Sequence, residues 1–497
     1  MSQATKMVKH STIYAVGNIS RQLVGFIMLP VYTRFLSPAD YGVIGLLVFL
    51  VSLVELLFGG HMFNAVPKYY YEQNSDQARK RLISSALIIT AVTSGITVSC
   101  VILLSTQASS LLFGSSEYST ALAMFSIVVL TNALENYALI YIRIQQRPWL
   151  FVGLSLSKLV LQLSLNLYFI VYLNWGVLGV AASAMCSSLL FATYLTIRTV
   201  RQTGISFEKN ISITLFKFSL PLWIGGIAGL YIGSANRYFI RIFSSLDDVG
   251  LFELATKFSS IIYLLIWTPF LQYWQTERFR IYKQKNAIAT YQTVFKIATV
   301  ALIVPAIAIS LFSDVVIQIM AAEDFYPSSN AAPFLIFSVV FYCLTIFNNF
   351  SFLVKEKTGW MSKNSYLTAA IVTVFYFSLI PEYGFVGAAI ATMAANIIQF
   401  FIVFYASKKF YDMELQLSTL FSLSLVACLS LSVAYLIEAD TLLTNILYRS
   451  INLCVVMLAV FLVILRDSTL RKILVNLAGS LKIKMKHRDK KSISDSA

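Results

Sequence analysis

Apolar runs of about twenty residues recur along the chain from near residue 11 to near residue 466, separated by short polar or charged stretches. As a helix, a run of that length spans a hydrocarbon core of ~30 Å at about 1.5 Å of rise per residue. The pattern predicts about fourteen transmembrane helices, beginning near residues 11, 41, 82, 117, 149, 176, 213, 249, 291, 331, 360, 385, 416 and 446. The first, seventh and eighth are the least apolar, so twelve is the competing count.

Composition agrees. The 497 residues are 58% hydrophobic and 12% charged, with a mean hydropathy of +0.74. Soluble chains carry about twice that charge fraction, so the fold class is an all-α polytopic membrane protein. The net charge of +15 does not indicate nucleic acid, because the basic residues gather at alternate span ends. With the N-terminus (Lys6, Lys9) in the cytoplasm, 31 of the 38 Lys and Arg residues fall on that side, while the outer loops hold mostly acids. The positive-inside rule then places both termini in the cytoplasm. The first span, long and interrupted by Arg21 and Pro30, does not read as a cleavable signal. The basic tail from residue 466 to 497 reads as a topology anchor against anionic lipid. Five cysteines lie in apolar spans and three histidines are scattered, so neither metal nor cofactor is expected.

The chain repeats itself. "SPADYG" at 37–42 and "SLDDVG" at 245–250 match at Ser37/Ser245, Asp40/Asp248 and Gly42/Gly250. "WGVLGVAASAM" and "YGFVGAAIATM" match at Gly176/Gly384, Gly179/Gly387, Ala181/Ala389 and Met185/Met393, at the same offset of 208. Glu117 and Tyr118 correspond to Asp324 and Phe325 at an offset of 207. Two distant blocks at one offset imply duplication of a six-span unit, and parallel repeats place a binding site between them. The expected organisation is a bundle over 1–209, its repeat over 210–411, two added spans over 412–465, and the tail.

"LPVYTRFLSPADYGVIGL" resembles the N-terminal signature of the Wzx-type polysaccharide flippases of the multidrug/oligosaccharidyl-lipid/polysaccharide (MOP) superfamily. "PLWIGGIAGLYIGSANRYFIRIFSSLDDVGLFELATK" resembles the start of that family's second half, and "IRIQQRPWLF" with "WGVLGVAAS" its fourth-to-sixth helix region. One departure is Asn236-Arg237, where the family often carries an Asp-Arg pair. The resemblance implies a MATE-like fold in a bacterial cytoplasmic (inner) membrane. It also implies alternating access that moves a polyprenyl-diphosphate-linked oligosaccharide, such as an O-antigen unit of lipopolysaccharide, to the outer leaflet.

Such a substrate needs cations for its diphosphate and hydrogen-bonding groups for its sugars. Tyr14, Asn18, Arg21, Gly25, Met28 and Tyr32 share one face of the first span. Arg21 either faces a cavity there, where its planar fork suits phosphate, or is held by a carboxylate such as Glu55. Lys158 heads a polar stripe with Ser155, Gln162 and Asn166, which lines a cavity or joins helices. Glu253 and Lys257 are spaced for an intrahelical pair that could open to an anion. Arg237 and Arg241 meet substrate late or face outer water. Glu135, beside Asn132 and Asn136, pairs structurally or holds a coupling cation. Asp40 with Ser37 is suited to capping the second span. Gly225, Gly229 and Gly233 form a small-residue ladder for packing or bending, and Pro30 is a further hinge candidate.

The leading expectation is a lipid-linked oligosaccharide flippase whose partners are membrane lipid and the lipid-linked glycan, with H⁺ or Na⁺ as a coupling ion left open, as are other polysaccharide-assembly proteins. A peptidoglycan-precursor flippase and a cation-coupled multidrug exporter are the alternatives. A glycan polymerase or ligase is expected to carry a sizeable outer loop with catalytic residues, and the longest here, about 314–330, has no Arg, Lys or His. The chain is therefore not expected to be an enzyme.

Overall fold

Helix α1 (Leu29–Phe35) is the first labelled helix of the computed structural model, which describes residues 26–58, 65–437 and 441–472. Every regular element among them is helical. The long helices are α2 (Pro38–Phe58), α3 (Asp76–Leu103), α4 (Ser119–Ile144), α5 (Pro148–Asn166) and α6 (Gly176–Thr203). They continue with α7 (Lys209–Ser234), α8 (Leu246–Ile261), α9 (Ala287–Met320), α10 (Ala332–Asn348), α11 (Gly359–Lys408), α12 (Ser418–Leu436) and α13 (Leu442–Arg466). A π-helical turn, Ile262–Trp267, carries α8 onward into the helix Thr268–Tyr282.

Among the described residues, eleven helices are long and apolar enough to cross a membrane. One of these, α11, is 50 residues long and is broken at Gly384, whose φ of 53° and ψ of −133° leave the helical region. Its two arms fall where the eleventh and twelfth spans are expected. The 26-residue α7 stands at the seventh position, and most of the first expected span lies outside the described residues. Only 17% of the apolar window of α13 is buried within the protein, leaving a broad apolar face, as a lipid-facing helix requires.

The local chemistry explains the helix starts. Ser37 Oγ accepts from Asp40 N at 3.1 Å, and Asp40 Oδ2 accepts from Ser37 N at 3.1 Å. This reciprocal capping box starts α2 with Pro38 at its first position. Gly176, which opens α6, has φ 52°, and its repeat mate Gly384 has φ 53°. Both occupy the left-handed region, which side chains disfavour, so the duplicated glycine performs one backbone task twice.

The chain forms two compact units. The first comprises Met1–Lys257, Ile317–Ala331 and Ser362–Ala395; the second comprises Phe258–Val316, Ala332–Met361 and Asn396–Ala497. This partition differs from the sequence repeats, and the repeat-based division remains a proposal. One polar contact nevertheless recurs at matched positions. In the first unit Thr131 Oγ1 donates to Ser188 Oγ at 2.8 Å. In the second, Asn396 Nδ2 donates to Ser338 Oγ at 2.7 Å. Ser338 corresponds to Thr131 at the 207 offset and Asn396 to Ser188 at 208.

Within the second unit, α13 is tied to α9 at both ends. Arg449 Nη2 meets Asp314 Oδ2 at 2.9 Å, with Asn445 Nδ2 on the same oxygen at 3.1 Å. Eighteen positions back along α9, Lys296 Nζ meets Asp467 Oδ2 at 2.7 Å.

Candidate functional site

In the first unit, α2 and α8 meet at their matched motifs. A side chain on Gly42 would collide with the carbonyl of Leu246 and lie 3.0 Å from Gly250 N. One on Gly250 would collide with the carbonyl of Pro38 and lie 3.1 Å from Gly42 N. Pro38 and Leu246 are repeat mates, as are the two glycines, so this is a pseudo-two-fold contact. One turn along, Gly45 leaves room for Glu253: a Cβ there would stand 2.8 Å from Glu253 Cδ. Gly45 is the repeat mate of Glu253.

The carboxylate of Glu253 forms an ion pair with the guanidinium of Arg237, through Oε1 and Nε, with only 14% of the Arg237 side chain and 9% of the Glu253 side chain exposed. Arg237 Nη1 also donates to the Gly233 carbonyl at 3.1 Å and to Asn236 Oδ1 at 3.3 Å. Glu253 has Arg237 as an ion-pair partner, because the short helix Asn236–Phe243 brings the guanidinium to a carboxylate seated in the Gly45 notch. Arg237 does not face outer water. Arg241 binds the carbonyl of Phe113 through Nε at 3.0 Å and Nη2 at 2.8 Å. It thereby satisfies the C-terminal end of the helix Ser105–Phe113, where a cation is favoured. Asp248 Oδ2 accepts from Ser244 Oγ at 2.5 Å and from Phe385 N at 3.2 Å, joining the two repeated blocks directly.

A second polar group centres on α4. Lys158 Nζ donates to Glu135 Oε2 at 2.5 Å and to Asn132 Oδ1 at 3.4 Å. Asn136 Nδ2 donates to Glu55 Oε1 at 3.1 Å. Further along the Lys158 stripe, Asn166 donates to the hydroxyl of Tyr32 at 2.8 Å and accepts from Ser183. Of the two readings of this stripe, Lys158 and Asn166 follow the helix-joining one.

Other candidates fall apart from these groups. Asn18 and Arg21 lie outside the described residues, as do the surroundings of Gly225. Gly229 and Gly233 have nothing within 4 Å of a built Cβ, so this part of the ladder is not a packing seam. The opposite side of α7 is attached to α11 instead, through Tyr231 hydroxyl with Thr373 Oγ1 at 2.6 Å and Tyr366 hydroxyl on the Ile224 carbonyl. Pro30 opens α1 just after a break at Met28, its missing N–H costing no helical bond. Asp40 acts in the cap described above. The close approach at Gly42, Gly45 and Gly250 was not expected from the sequence; the matched Gly42/Gly250 pair was its one available signal.

Lys158 and Arg237 are therefore neutralised by carboxylates, while Arg241 keeps its charge and is hydrogen-bonded to a carbonyl. An anion could reach Lys158 or Arg237 only by displacing a carboxylate, an exchange in which the forked guanidinium has the stronger geometry for phosphate. Among the described residues, no group of three His, Cys, Asp or Glu side chains could hold a metal ion.

Comparison with known proteins adds the family. The chain is 22% identical over 420 residues to the capsular polysaccharide biosynthesis protein CapF of Staphylococcus aureus, covering 82% of this chain and 100% of that protein. It is 22% identical over 267 residues to Lsg locus putative protein 1 of Haemophilus influenzae, covering 52% of this chain and 63% of that one. Its fold is similar to that of the lipid II flippase MurJ in an inward closed conformation, with a TM-score of 0.74 at 14% identity over 92% of this chain and 99% of that one. An inward-facing MATE multidrug resistance transporter of the MOP superfamily gives 0.61 at 14% identity over 80% and 97%. Residues 7–272 match the family model described as polysaccharide biosynthesis protein, and the chain belongs to that family, on a MOP-type transporter fold.

Proposed function

We propose that this protein is a flippase carrying a polyprenyl-diphosphate-linked oligosaccharide from the cytoplasmic to the outer leaflet of a bacterial inner membrane, by alternating access of two repeated bundles. The family match over residues 7–272 carries the reading. The fold is in keeping with it: the likeness to the lipid II flippase MurJ extends over 92% of the chain and so includes residues beyond 411, and the likeness to the MATE transporter covers 80%. In this reading the added helices α12 and α13 serve a lipid-tailed cargo. In this account Lys158 and Arg237 exchange their carboxylates for the diphosphate during transit, joined by Arg21 of the first span, and Lys257 lies along the same route. O-antigen or capsular repeat units are the glycan class, with both termini of the protein cytoplasmic.

Native mass spectrometry of the purified protein tests the substrate class. With a polyprenyl-diphosphate oligosaccharide, the peptidoglycan precursor and a cationic dye offered together, the expected adduct is the oligosaccharide lipid. Preferential binding of the peptidoglycan precursor would reassign the cargo, and binding of the dye alone would overturn the flippase reading.

A further inference from the structure

A guanidinium sits nearly enclosed in the second unit with no carboxylate paired to it among the described residues. Arg278, in the helix Thr268–Tyr282, keeps only 8% of its surface, and its Nε is shut off from solvent without a hydrogen-bond partner. Rings stand where a counter-ion would: its Cζ lies 5.4 Å from the centre of the Phe279 ring and 5.5 Å from that of Phe350. The adjacent acid, Glu277, is taken by Arg280, whose Nε is 3.0 Å from both carboxylate oxygens. One turn back, Trp274 is buried and its indole N–H also lacks a partner. A buried charge held in this way is costly until something pairs with it.

The fold itself does not call for this cation. At either repeat offset the mate of Arg278 is a tyrosine, Tyr70 or Tyr71. The cation stacked on Tyr70 is Arg79, 5.4 Å from the ring centre, and it has an oxygen to bond: its Nε donates to the Gln73 carbonyl at 3.2 Å. The first copy supplies its cation with an acceptor from the chain; the second leaves that acceptor to be supplied.

Four segments of the second unit meet around Arg278. The rings of Tyr282 and Tyr411 are 5.0 Å apart, and Tyr291 and Tyr411 stand 5.4 Å and 6.4 Å from Phe350. Tyr282 and Tyr411 are half-buried, so two phenols beside the Phe350 ring stay partly open. The turns at 283–286 and 355–358 are exposed and carry Lys283, Lys285, Lys355 and Lys357 against one acid, Glu356. By the positive-inside rule this is the cytoplasmic end of the bundle.

We propose that Arg278 anchors a binding site for a phosphate ester at this end of the second unit, with Tyr282 and Tyr411 as further donors. A planar guanidinium offers phosphate two parallel charged hydrogen bonds, and basic pockets between membrane helices take phosphorylated headgroups. Two sources carry this chemistry: the phosphodiester of an anionic membrane lipid and the diphosphate of a polyprenyl lipid. The proposal stands without the flippase reading.

Lipid titrations of the purified, delipidated protein, followed by native mass spectrometry, test it. The probes are phosphatidylglycerol, a polyprenyl diphosphate without glycan, and a diacyl glycolipid that lacks phosphate. One or both phosphate lipids should bind more tightly than the glycolipid, and the tighter of the two names the source. Arg278→Gln should weaken that binding about tenfold or more, as expected for a lost charged hydrogen bond. Arg278→Lys should lose less, and Tyr282→Phe with Tyr411→Phe should also show a smaller loss. Without lipid, Arg278→Gln should melt at or above wild type, because the unpaired buried cation is gone. Equal affinity of wild type and Arg278→Gln for the phosphate lipids would overturn the proposal, as would glycolipid binding as tight as theirs. An Arg278→Gln protein melting well below wild type without lipid would also overturn it, since that marks a purely structural cation.

Discussion

Gly42 of α2 and Gly250 of α8 are repeat mates that touch each other, each occupying the space where the other's helix would meet a side chain. The carbonyl blocking a Cβ at Gly42 belongs to Leu246, and the one blocking Gly250 belongs to Pro38, itself the mate of Leu246. A duplicated motif has become its own packing partner.

Alanine at either glycine is therefore expected to part α2 from α8. Overpacking of this kind typically costs about 1–3 kcal/mol. Gly95→Ala is the control, since nothing lies within 4 Å of a Cβ there and alanine favours a helix interior by roughly 0.5–1 kcal/mol. Thermal unfolding in detergent should show Gly42→Ala and Gly250→Ala below wild type and Gly95→Ala at or above it.

The Arg237–Glu253 pair makes a sharper prediction. Removing one partner leaves a buried charge alone, at a cost of about 3–5 kcal/mol. The first repeat places Leu29 and Gly45 at the mates of Arg237 and Glu253, and Leu29 is fully buried. The double variant Arg237→Leu with Glu253→Ala should accordingly be more stable than Glu253→Ala alone. Equal stability of the two would show that the pair is not coupled. Under the proposed function, transport by the stable double variant should still fall, because the guanidinium is gone.

Lys158 and Glu135 should behave as an exchangeable pair. Lys158→Glu is expected to lose both stability and transport, and adding Glu135→Lys to recover stability in substantial part. A double-mutant cycle on melting temperature measures the coupling. Independent effects of the two changes would mean that the 2.5 Å contact contributes nothing.

Acid should loosen the end of α13. Asp467, just past that helix, is partly buried, which by itself raises its proton affinity; the Lys296 hydrogen bond and the backbone N–H groups of Leu470 and Thr469 outweigh that, holding its carboxyl below the usual range. A depressed carboxyl contributes stability that is fully present above the unfolded value near pH ~4 and is lost as the pH falls through the folded value. Hydrogen exchange in the last turn of α13 should therefore accelerate on acidification, and Asp467→Asn should show the faster exchange already at neutral pH.

What the sequence disclosed was whatever is written in short-range pattern. Span positions, the Ser37–Asp40 cap and the twin glycines Gly176 and Gly384 were all legible, because periodicity, capping and backbone freedom are local properties. Partner choice was not. Glu253 takes Arg237 from the preceding short helix, beside a notch that the missing side chain at Gly45 opens and only the folded arrangement reveals. The glycine ladder of α7 misled for the same reason: small residues mark a packing seam only when another helix lies against them, and Gly229 and Gly233 face open space. Asn166 was visible as polar, but its bond to Tyr32 joins residues 134 positions apart.

Leaflet transfer in proteoliposomes addresses the central claim most directly. The purified protein is reconstituted with a polyprenyl-diphosphate oligosaccharide, and the glycan's exposure to a membrane-impermeant modifying reagent is followed over time. The account predicts transfer well above protein-free vesicles, a marked loss in Arg21→Ala and partial retention in Arg21→Lys. Transfer no faster than in protein-free vesicles, from protein that is folded and inserted, would contradict it.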